Sequence, residues 1–338
     1  MTKRQQFQEI PDAVRLTLEK ARAEYGAALR KIRWGDGPIY VCGAGDSQAL
    51  AAAAHYAFEF FTDWPVVTRP AEVFLNYSLS LLQPRSVLLL IAAPGDWPEA
   101  QELARVAQQR GSTLVLLTNA LESPLAKLAA HVFAAGSEGE TQSPGAAIAL
   151  HLALNFLAFE AARVLKRPKP SWEQVEKDFA ELPAKLAWVF TQLPDIVRSL
   201  AKDLAQLPRL RIVGGGFYEY PAERGAERLA PNANVEAVEA TRFLTAPLRF
   251  ARKDESVLFL SGSQSRLRKT LHDCAAQARA NGVRVLVLTD SADRELAARS
   301  DVGLLTPTLA EAPASTLTLF MLEWLAMEAL KPAPARSQ

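Results

Sequence analysis

Two glycines and a serine directly follow the first continuous apolar run of the sequence. In Gly43-Ala44-Gly45-Asp46-Ser47-Gln48, the glycines allow the backbone to approach a ligand closely, and Ser47 offers a hydroxyl and an N–H at a helix start. These groups suit a small anion such as a phosphoryl group, and the alternative role for Ser47 is a plain helix cap. We predict that Gly43, Gly45, Ser47 and Gln48 contact a negatively charged ligand.

A second hydroxyl-rich segment, Ser261-Gly262-Ser263-Gln264-Ser265, follows a later apolar run. Its hydroxyls and loose backbone predict a phosphate cradle that is formed by Ser261, Ser263 and Ser265. The alternative is a solvated loop that only caps the next helix.

Two carboxylates stand one helical turn apart on a predicted helix, at Glu223 and Glu227. A carboxylate whose pKa is tuned towards neutral pH can transfer a proton as a general base. Both residues are therefore candidate catalytic groups, and the alternative is that they line a solvated helix face.

Metal and cofactor chemistry finds no support in the residue pattern. The four histidines are His55, His131, His151 and His272, and no pair has metal-ligand spacing, so we predict no metal site. The glycines of residues 43–48 lack the third glycine of a dinucleotide-binding loop, and no Gly-Lys-Ser/Thr segment marks a P-loop. We expect no cofactor.

The elements that carry these residues occur twice. Ser86 to Leu90 matches Ser256 to Leu260, and Ile39 to Gly43 matches Leu210 to Gly214, at a spacing of about 170 residues. A repeat of this length indicates a duplicated domain rather than a solenoid.

In each copy, continuous apolar runs alternate with helices, the pattern of a parallel sheet that is covered on both faces. We predict an α/β fold with two tandem, doubly wound, flavodoxin-like αβα domains. The linker between them is expected to hold two helices with breaks near Pro183 and Pro194. The predicted boundaries are a helical segment at 1–37, domains at 38–165 and 209–330, a linker at 166–208 and a tail at 331–338.

The charge, the hydropathy pattern and the cysteine content limit which binding partners and which cellular compartment are expected. The formal net charge is +1 and no polybasic block occurs, so neither nucleic acid nor a membrane surface is expected as a partner. The apolar stretch 146–159 is short for a bilayer and is interrupted by polar side chains, which predicts a buried helix. With only two cysteines and no export signal, we expect a cytoplasmic protein. The alanine-rich helices at 49–61 and 146–159 also predict a homodimer.

The repeat and its loops resemble the tandem sugar isomerase (SIS) domain family over roughly residues 38–330. That family includes the isomerase domain of glucosamine-6-phosphate synthase and amino-sugar isomerases and deaminases. Residues 43–47 are similar to its Gly-x-Gly-[Ser/Thr]-Ser opening, and residues 70–74 and 242–248 to its Ser-Glu-Phe and Glu-Phe-x-His-Gly-Pro segments. The resemblance implies a phosphorylated sugar as the ligand, with Ser47 at the phosphate, and aldose–ketose isomerisation through an enediol.

This sequence departs from the family pattern at several catalytic positions. Thr245 stands where the family has its ring-opening histidine, and the catalytic glutamate aligns near Ala230-Pro231, one turn beyond Glu227. The family's hydroxyl-rich loop appears in the first domain as Ala92 to Trp97, which has no hydroxyl and carries a carboxylate, so we expect a poor anion site there. Gly95 in this loop and Ser143 further on are kept as candidate ligand contacts. We expect no glutaminase domain.

Three hypotheses follow from these departures. The first is a phosphosugar isomerase or deaminase with a rearranged site. The second is a non-catalytic sugar-phosphate sensor or a regulatory partner subunit. The third is a pseudo-enzyme in which the first site is lost and the second holds a different ligand.

Overall fold

In a computed structural model, the chain divides into two compact units. We call Gln5–Pro183 the N-terminal unit, and Ala184–Gln338 with Met1–Arg4 the C-terminal unit. The described residues are 3–34, 37–45, 47–93, 97–136, 143–167, 169, 171–231, 234–245 and 254–330.

The first half of the chain alternates helices and short strands. The five strands form one parallel sheet in the order 2-1-3-4-5. The elements are α1 (Lys3–Leu29), β1 (Ile39–Gly43), α2 (Ser47–Thr62), β2 (Val66–Pro70), α3 (Ala71–Tyr77), β3 (Val87–Ile91), α4 (Pro98–Gln109), β4 (Thr113–Thr118), α5 (Pro124–Leu128), β5 (His131–Ala134) and α6 (Pro144–Val164).

The apolar runs form the centre of this sheet. Every residue of β1 and β3 is buried, as expected for parallel strands that are covered on both faces. Among the described residues, α6 is one helix that is long and apolar enough to cross a bilayer, but 94% of its most apolar window is buried within the chain. The predicted buried helix at 146–159 is thus confirmed as part of the core.

Two helices follow, α7 (Trp172–Gln192) and α8 (Pro194–Leu204). The expected break at Pro194 is confirmed, because this proline begins α8. The expected break near Pro183 is wrong, since α7 continues through it. Leu182 and Leu186 on either side are fully buried, and this packing holds the helix together despite the lost hydrogen bond.

The second half repeats the plan of the first. Its parallel sheet has the order β7-β6-β8-β9-β10, which is the order of the first sheet. The elements are β6 (Arg209–Gly214), α9 (Glu219–Leu229), β7 (Asn234–Glu239), α10 (Ala240–Thr245), β8 (Ser256–Leu260), α11 (Arg268–Ala280), β9 (Arg284–Asp290), α12 (Arg294–Ala298), β10 (Val302–Thr306) and α13 (Glu311–Ala329).

Backbone geometry shows the duplication in detail. Gly45 and Gly216 occupy matching positions after the first strand of each copy, and their φ angles are 55° and 62°. Only glycine adopts this left-handed conformation without strain. The predicted pair of doubly wound αβα domains is confirmed, and in such sheets ligands bind outside the carboxyl ends of the strands.

Candidate functional site

The loop after β1 needs its glycines for internal packing. A Cβ atom at Gly43 would lie 2.4 Å from the carbonyl oxygen of Ser47, and one at Gly214 would lie 2.4 Å from that of Tyr218. No side chain fits at that distance, so both copies use glycine to let the strand pass tightly into the following helix. This close approach explains Gly43 without a ligand.

The indole of Trp97 covers the same loop. A Cβ atom at Gly45 would lie only 2.1 Å from Cζ2 of Trp97, so the ring rests directly on the glycine backbone. Trp97 stands just before α4 and is 37% exposed. A phosphoryl group can reach Gly45 from this side only if the indole moves.

Ser47 and Gln48 use their polar groups within the turn. The hydroxyl of Ser47 accepts a hydrogen bond from the Ala93 N–H at 3.2 Å, and the serine is 3% exposed. The N–H groups of Ser47 and Gln48 donate to the carbonyls of Ala44 and Gly45 at 3.2 and 3.0 Å. The ligand role of these residues stays a prediction, and it requires an exchange of these bonds for bonds to the ligand.

Ser143 and Gly95 complete the candidates of the first half. Ser143 caps α6, because its hydroxyl accepts a hydrogen bond from the Ala146 N–H at 3.1 Å. Gly95 lies outside the described residues. Their ligand contacts also remain predictions.

In the C-terminal unit, a carboxylate of the chain occupies the serine loop. Asp290, at the end of β9, accepts hydrogen bonds from the N–H and the hydroxyl of Ser263 at 2.6 and 2.9 Å. It also accepts from the Ala292 N–H at 2.8 Å and lies near the Thr308 hydroxyl at 3.2 Å. Asp290 is 2% exposed. Donors that would suit a phosphate therefore already hold an anion.

A second carboxylate binds the other end of this loop. Glu311, the first residue of α13, accepts a hydrogen bond from the Arg266 N–H at 3.3 Å and interacts with the Ser265 hydroxyl. The Ser261 hydroxyl is 2% exposed and has no hydrogen-bond partner among the described residues. A phosphate in this cradle would face two acidic side chains, so the predicted binding role of Ser261, Ser263 and Ser265 gains no support from the geometry.

Tyr218 stands in the second copy where Ser47 stands in the first. Its ring is buried, and its hydroxyl lies so close to Gly262 that a Cβ there would be 2.6 Å away. Burial, together with the charges of Glu311, Asp290 and Asp293, raises the pKa of Tyr218 well above its usual value, so it stays a neutral phenol. The hydroxyl of Tyr218 and the carboxyl group of Asp290 thus both lie against Gly262 at the strand ends of this copy.

Three glutamates form a line along α9, at Glu219, Glu223 and Glu227. Glu223 is half-buried and forms no hydrogen bond or ion pair with a residue that the structure describes. Burial, with added repulsion from Glu219 and Glu227, raises the pKa of Glu223 to about 7. A carboxylate with this pKa can both accept and return a proton near neutral pH.

Glu227 has a different environment from Glu223. Its side chain is 59% exposed and accepts a hydrogen bond from Arg224 at 3.0 Å. Arg224 in turn binds Glu323 of α13 at 2.9 Å, and Arg228 binds the other oxygen of Glu323 at 3.0 Å. Of the two predicted catalytic residues, only Glu223 has the partial burial and raised pKa that suit a base.

Two residues that shape these loops were not identified from the sequence, Trp97 and Asp290. For the second copy, the spacing of the repeat could have served as a signal in the sequence, because it places Tyr218 at the position equivalent to Ser47. Within the described residues, no group of three or more histidines, cysteines or acids is arranged to hold a metal ion.

The raised pKa of Glu311 makes the stability of the C-terminal unit depend on pH. Burial raises the pKa from 4.5 to about 7, so between these values the native state binds more protons than the unfolded state and stability falls as pH rises. We expect Glu311→Gln to be more stable than wild type at pH 8, by at most about 3 kcal/mol, and to lose this advantage below pH 4.5. Urea unfolding of both proteins at several pH values measures the difference, and a difference that does not change with pH would contradict the assignment.

Comparison of the sequence with known families identifies the class of protein to which this fold and these loops belong. The sequence profile of the SIS domain matches residues 35–165 and 229–328, which is more than half of the chain and includes strands of both sheets. The chain belongs to the SIS domain family, as the sequence resemblance predicted.

Individual relatives are more distant. A glutamine–fructose-6-phosphate aminotransferase (isomerizing) from Rhizobium meliloti is 24% identical over 257 residues, which are 75% of this chain and 42% of that protein. One from Clostridium perfringens is 21% identical over 87% of this chain and 50% of its own length. The chain thus spans about half the length of the curated relatives that it matches.

A solved structure agrees on the fold. The C-terminal domain of glucosamine-fructose-6-phosphate aminotransferase from Francisella tularensis superposes with a TM-score of 0.83 at 17% identity, covering 97% of this chain and 95% of that one. At this identity the likeness establishes the architecture alone.

Proposed function

We propose that the chain binds a phosphorylated sugar and acts on it as an aldose–ketose isomerase or deaminase of amino-sugar phosphates. Membership of the SIS domain family supports the ligand class. Relatives named as fructose-6-phosphate aminotransferases and a solved glucosamine-6-phosphate deaminase from Thermotoga maritima support this choice of reaction. The chain resembles only part of those aminotransferases, so transfer of nitrogen from glutamine is not included in the proposal.

The observation that carries the catalytic part is the environment of Glu223. Isomerisation through an enediol needs a base that removes a proton at C2 of the sugar and returns it at C1. The half-buried carboxylate with a pKa of about 7 meets this need. We propose Glu223 as this base in the C-terminal unit. As a separate proposal, the loop of Gly43, Gly45, Ser47 and Gln48 is a phosphate-binding element of the N-terminal unit.

The test is proton exchange in deuterated water. Wild-type protein is incubated with fructose 6-phosphate or glucosamine 6-phosphate, and the loss of the C1 or C2 proton signal is followed by NMR. We expect catalysed exchange with at least one of the two sugars. Thermal stabilisation by a sugar without exchange would instead support the non-catalytic sensor, and the absence of both would overturn phosphosugar binding.

Trp97 is expected to limit access to the phosphate-binding loop. In Trp97→Ala the indole no longer rests on Gly45, and the affinity for the sugar phosphate should rise about tenfold, because displacing the ring no longer costs apolar contact. Calorimetric titration measures this change. Trp188→Ala, which removes a tryptophan that is 48% exposed in the C-terminal unit, is the control. A fall in affinity for Trp97→Ala alone would show that the ring helps to bind the sugar.

We also propose that the protein is cytoplasmic and forms a homodimer. The apolar helix α6 is buried within the single chain, so the support for a dimer comes from the half-exposed alanines and aromatic residues of α2. Light scattering at micromolar concentration should give twice the mass of the 36.9 kDa chain.

A further inference from the structure

An open cavity lies at the amino edge of the first sheet, on the side opposite to the loop of Gly43–Gln48. It has a volume of about 350 Å³ and is enclosed by the segments that precede β1, β2 and β3. This volume falls within the range of small-molecule sites. Its walls include Trp34, Ile39, Trp64, Leu81, Gln83 and Arg85.

Two tryptophans form a fixed aromatic wall. The ring centroids of Trp34 and Trp64 are 5.1 Å apart, and the rings are tilted by 44°. The indole N–H of Trp34 donates to the Leu29 carbonyl at 3.2 Å, and that of Trp64 donates to the Gly37 carbonyl at 3.0 Å. Trp64 is only 8% exposed and the guanidinium of Arg167 lies 5.5 Å from its ring centroid, so it mainly supports Trp34. Trp34 is half-buried and has its N–H satisfied within the chain, so it offers a ligand an ordered apolar ring.

Arg85 supplies a positive charge at the rim of the cavity. Its side chain is exposed and forms no ion pair with a residue that the structure describes. Its φ angle is 76°, a conformation that is strained for any residue other than glycine. Because strained backbone conformations cluster at functional sites, the charged side chain of Arg85 is a candidate for ligand binding.

The same edge of the second copy carries a cluster of ion pairs. Glu255, which matches Arg85 in the repeat, is 2% exposed and binds Arg209 at 3.0 Å and also Arg211. In the first copy the positions of these two arginines hold Pro38 and Tyr40, which line the cavity. At this edge one copy has a cluster of ion pairs, and the other has an aromatic cavity whose cation, Arg85, pairs with no residue that the structure describes.

We propose that this cavity binds a small planar aromatic anion. The ring would stack against Trp34, which packs on Trp64, and the anionic group would pair with the guanidinium of Arg85. The lining residues that the structure describes include no carboxylate that would repel such a ligand. The site is separate from the proposed sugar-phosphate site and does not depend on it.

The test uses three probes that separate ring from charge. 1-Naphthyl phosphate carries both groups, 1-naphthol carries the ring alone, and inorganic phosphate carries the anion alone. Binding is followed by tryptophan fluorescence and by ligand-observed NMR. We expect 1-naphthyl phosphate to bind about tenfold more tightly than 1-naphthol, and saturating fructose 6-phosphate should not displace it.

Substitutions locate the site. Arg85→Gly removes the charge and suits the positive φ, so the fold is retained, and the affinity for 1-naphthyl phosphate should fall to that of 1-naphthol. Trp34→Ala should weaken both ring-bearing probes, and Arg105→Ala, at an exposed arginine outside the cavity, should change neither. Equal affinity of wild type and Arg85→Gly for 1-naphthyl phosphate, or no binding at millimolar concentration, would overturn the proposal.

Discussion

Glu223→Gln is expected to lower the rate of C1/C2 proton exchange by a factor of about 10² to 10⁴, the usual contribution of a general base. The amide has nearly the same shape as the carboxyl group but cannot accept the proton. Because the base acts in its ionised form and its pKa is about 7, the wild-type rate should rise with pH through neutrality. The rates are measured by NMR in deuterated water at several pH values.

Glu227→Gln is the matched control on the same helix. Its side chain is 59% exposed, and the Arg224 side chain with which it pairs also binds Glu323. We expect the exchange rate of this variant to stay within about threefold of wild type, because the Glu227 carboxylate is mostly solvated and Arg224 keeps its bond to Glu323. Equal losses in the two variants would mean that charge along α9, and not a base at Glu223, supports the reaction.

Glu323→Gln is expected to destabilise the protein by about 3–5 kcal/mol, the usual result of removing one partner from a buried ion pair. The side chain of Glu323 is fully buried and binds both Arg224 and Arg228 of α9. The amide has one acceptor oxygen, so one of the two arginines loses its ion pair with residue 323. Because these contacts tie α9 to α13, the substitution should also reduce the exchange rate that depends on Glu223.

Urea unfolding measures this effect. Asp195→Asn is the control. The side chain of Asp195 is 91% exposed and pairs with Arg198 at 2.7 Å, and such an exposed ion pair contributes little to stability. If Glu323→Gln lowered the free energy of unfolding by less than about 1 kcal/mol, this buried ion pair would contribute no more than an exposed pair does, which would contradict the prediction.

The fold could be predicted from the sequence because the patterns that indicate its strands and helices are local and occur twice. Continuous apolar runs such as Val87 to Ile91 became fully buried parallel strands, and the second copy provided an independent reading of the same pattern. The predicted helix break near Pro183 was wrong because it considered only the backbone hydrogen bond that a proline removes. Burial of the helix face stabilises α7 by more than that lost bond costs.

The site was less accessible, because the partners of its polar groups are distant in sequence. The loop of Ser261 to Ser265 was predicted to hold a phosphate, and in the structure Ser263 instead binds the carboxyl group of Asp290, which is 27 residues away. Glu223 and Glu227 look alike by spacing, and only their packing separates a half-buried carboxyl group with a raised pKa from a solvent-exposed one that pairs with Arg224.

A crystal structure of the protein with fructose 6-phosphate tests the central proposal most directly. We predict the phosphoryl group within hydrogen-bond distance of the Ser47 and Gln48 amides, with the indole of Trp97 moved off Gly45. A phosphoryl group located elsewhere, or a loop that stays covered by Trp97 at saturating sugar, would contradict it.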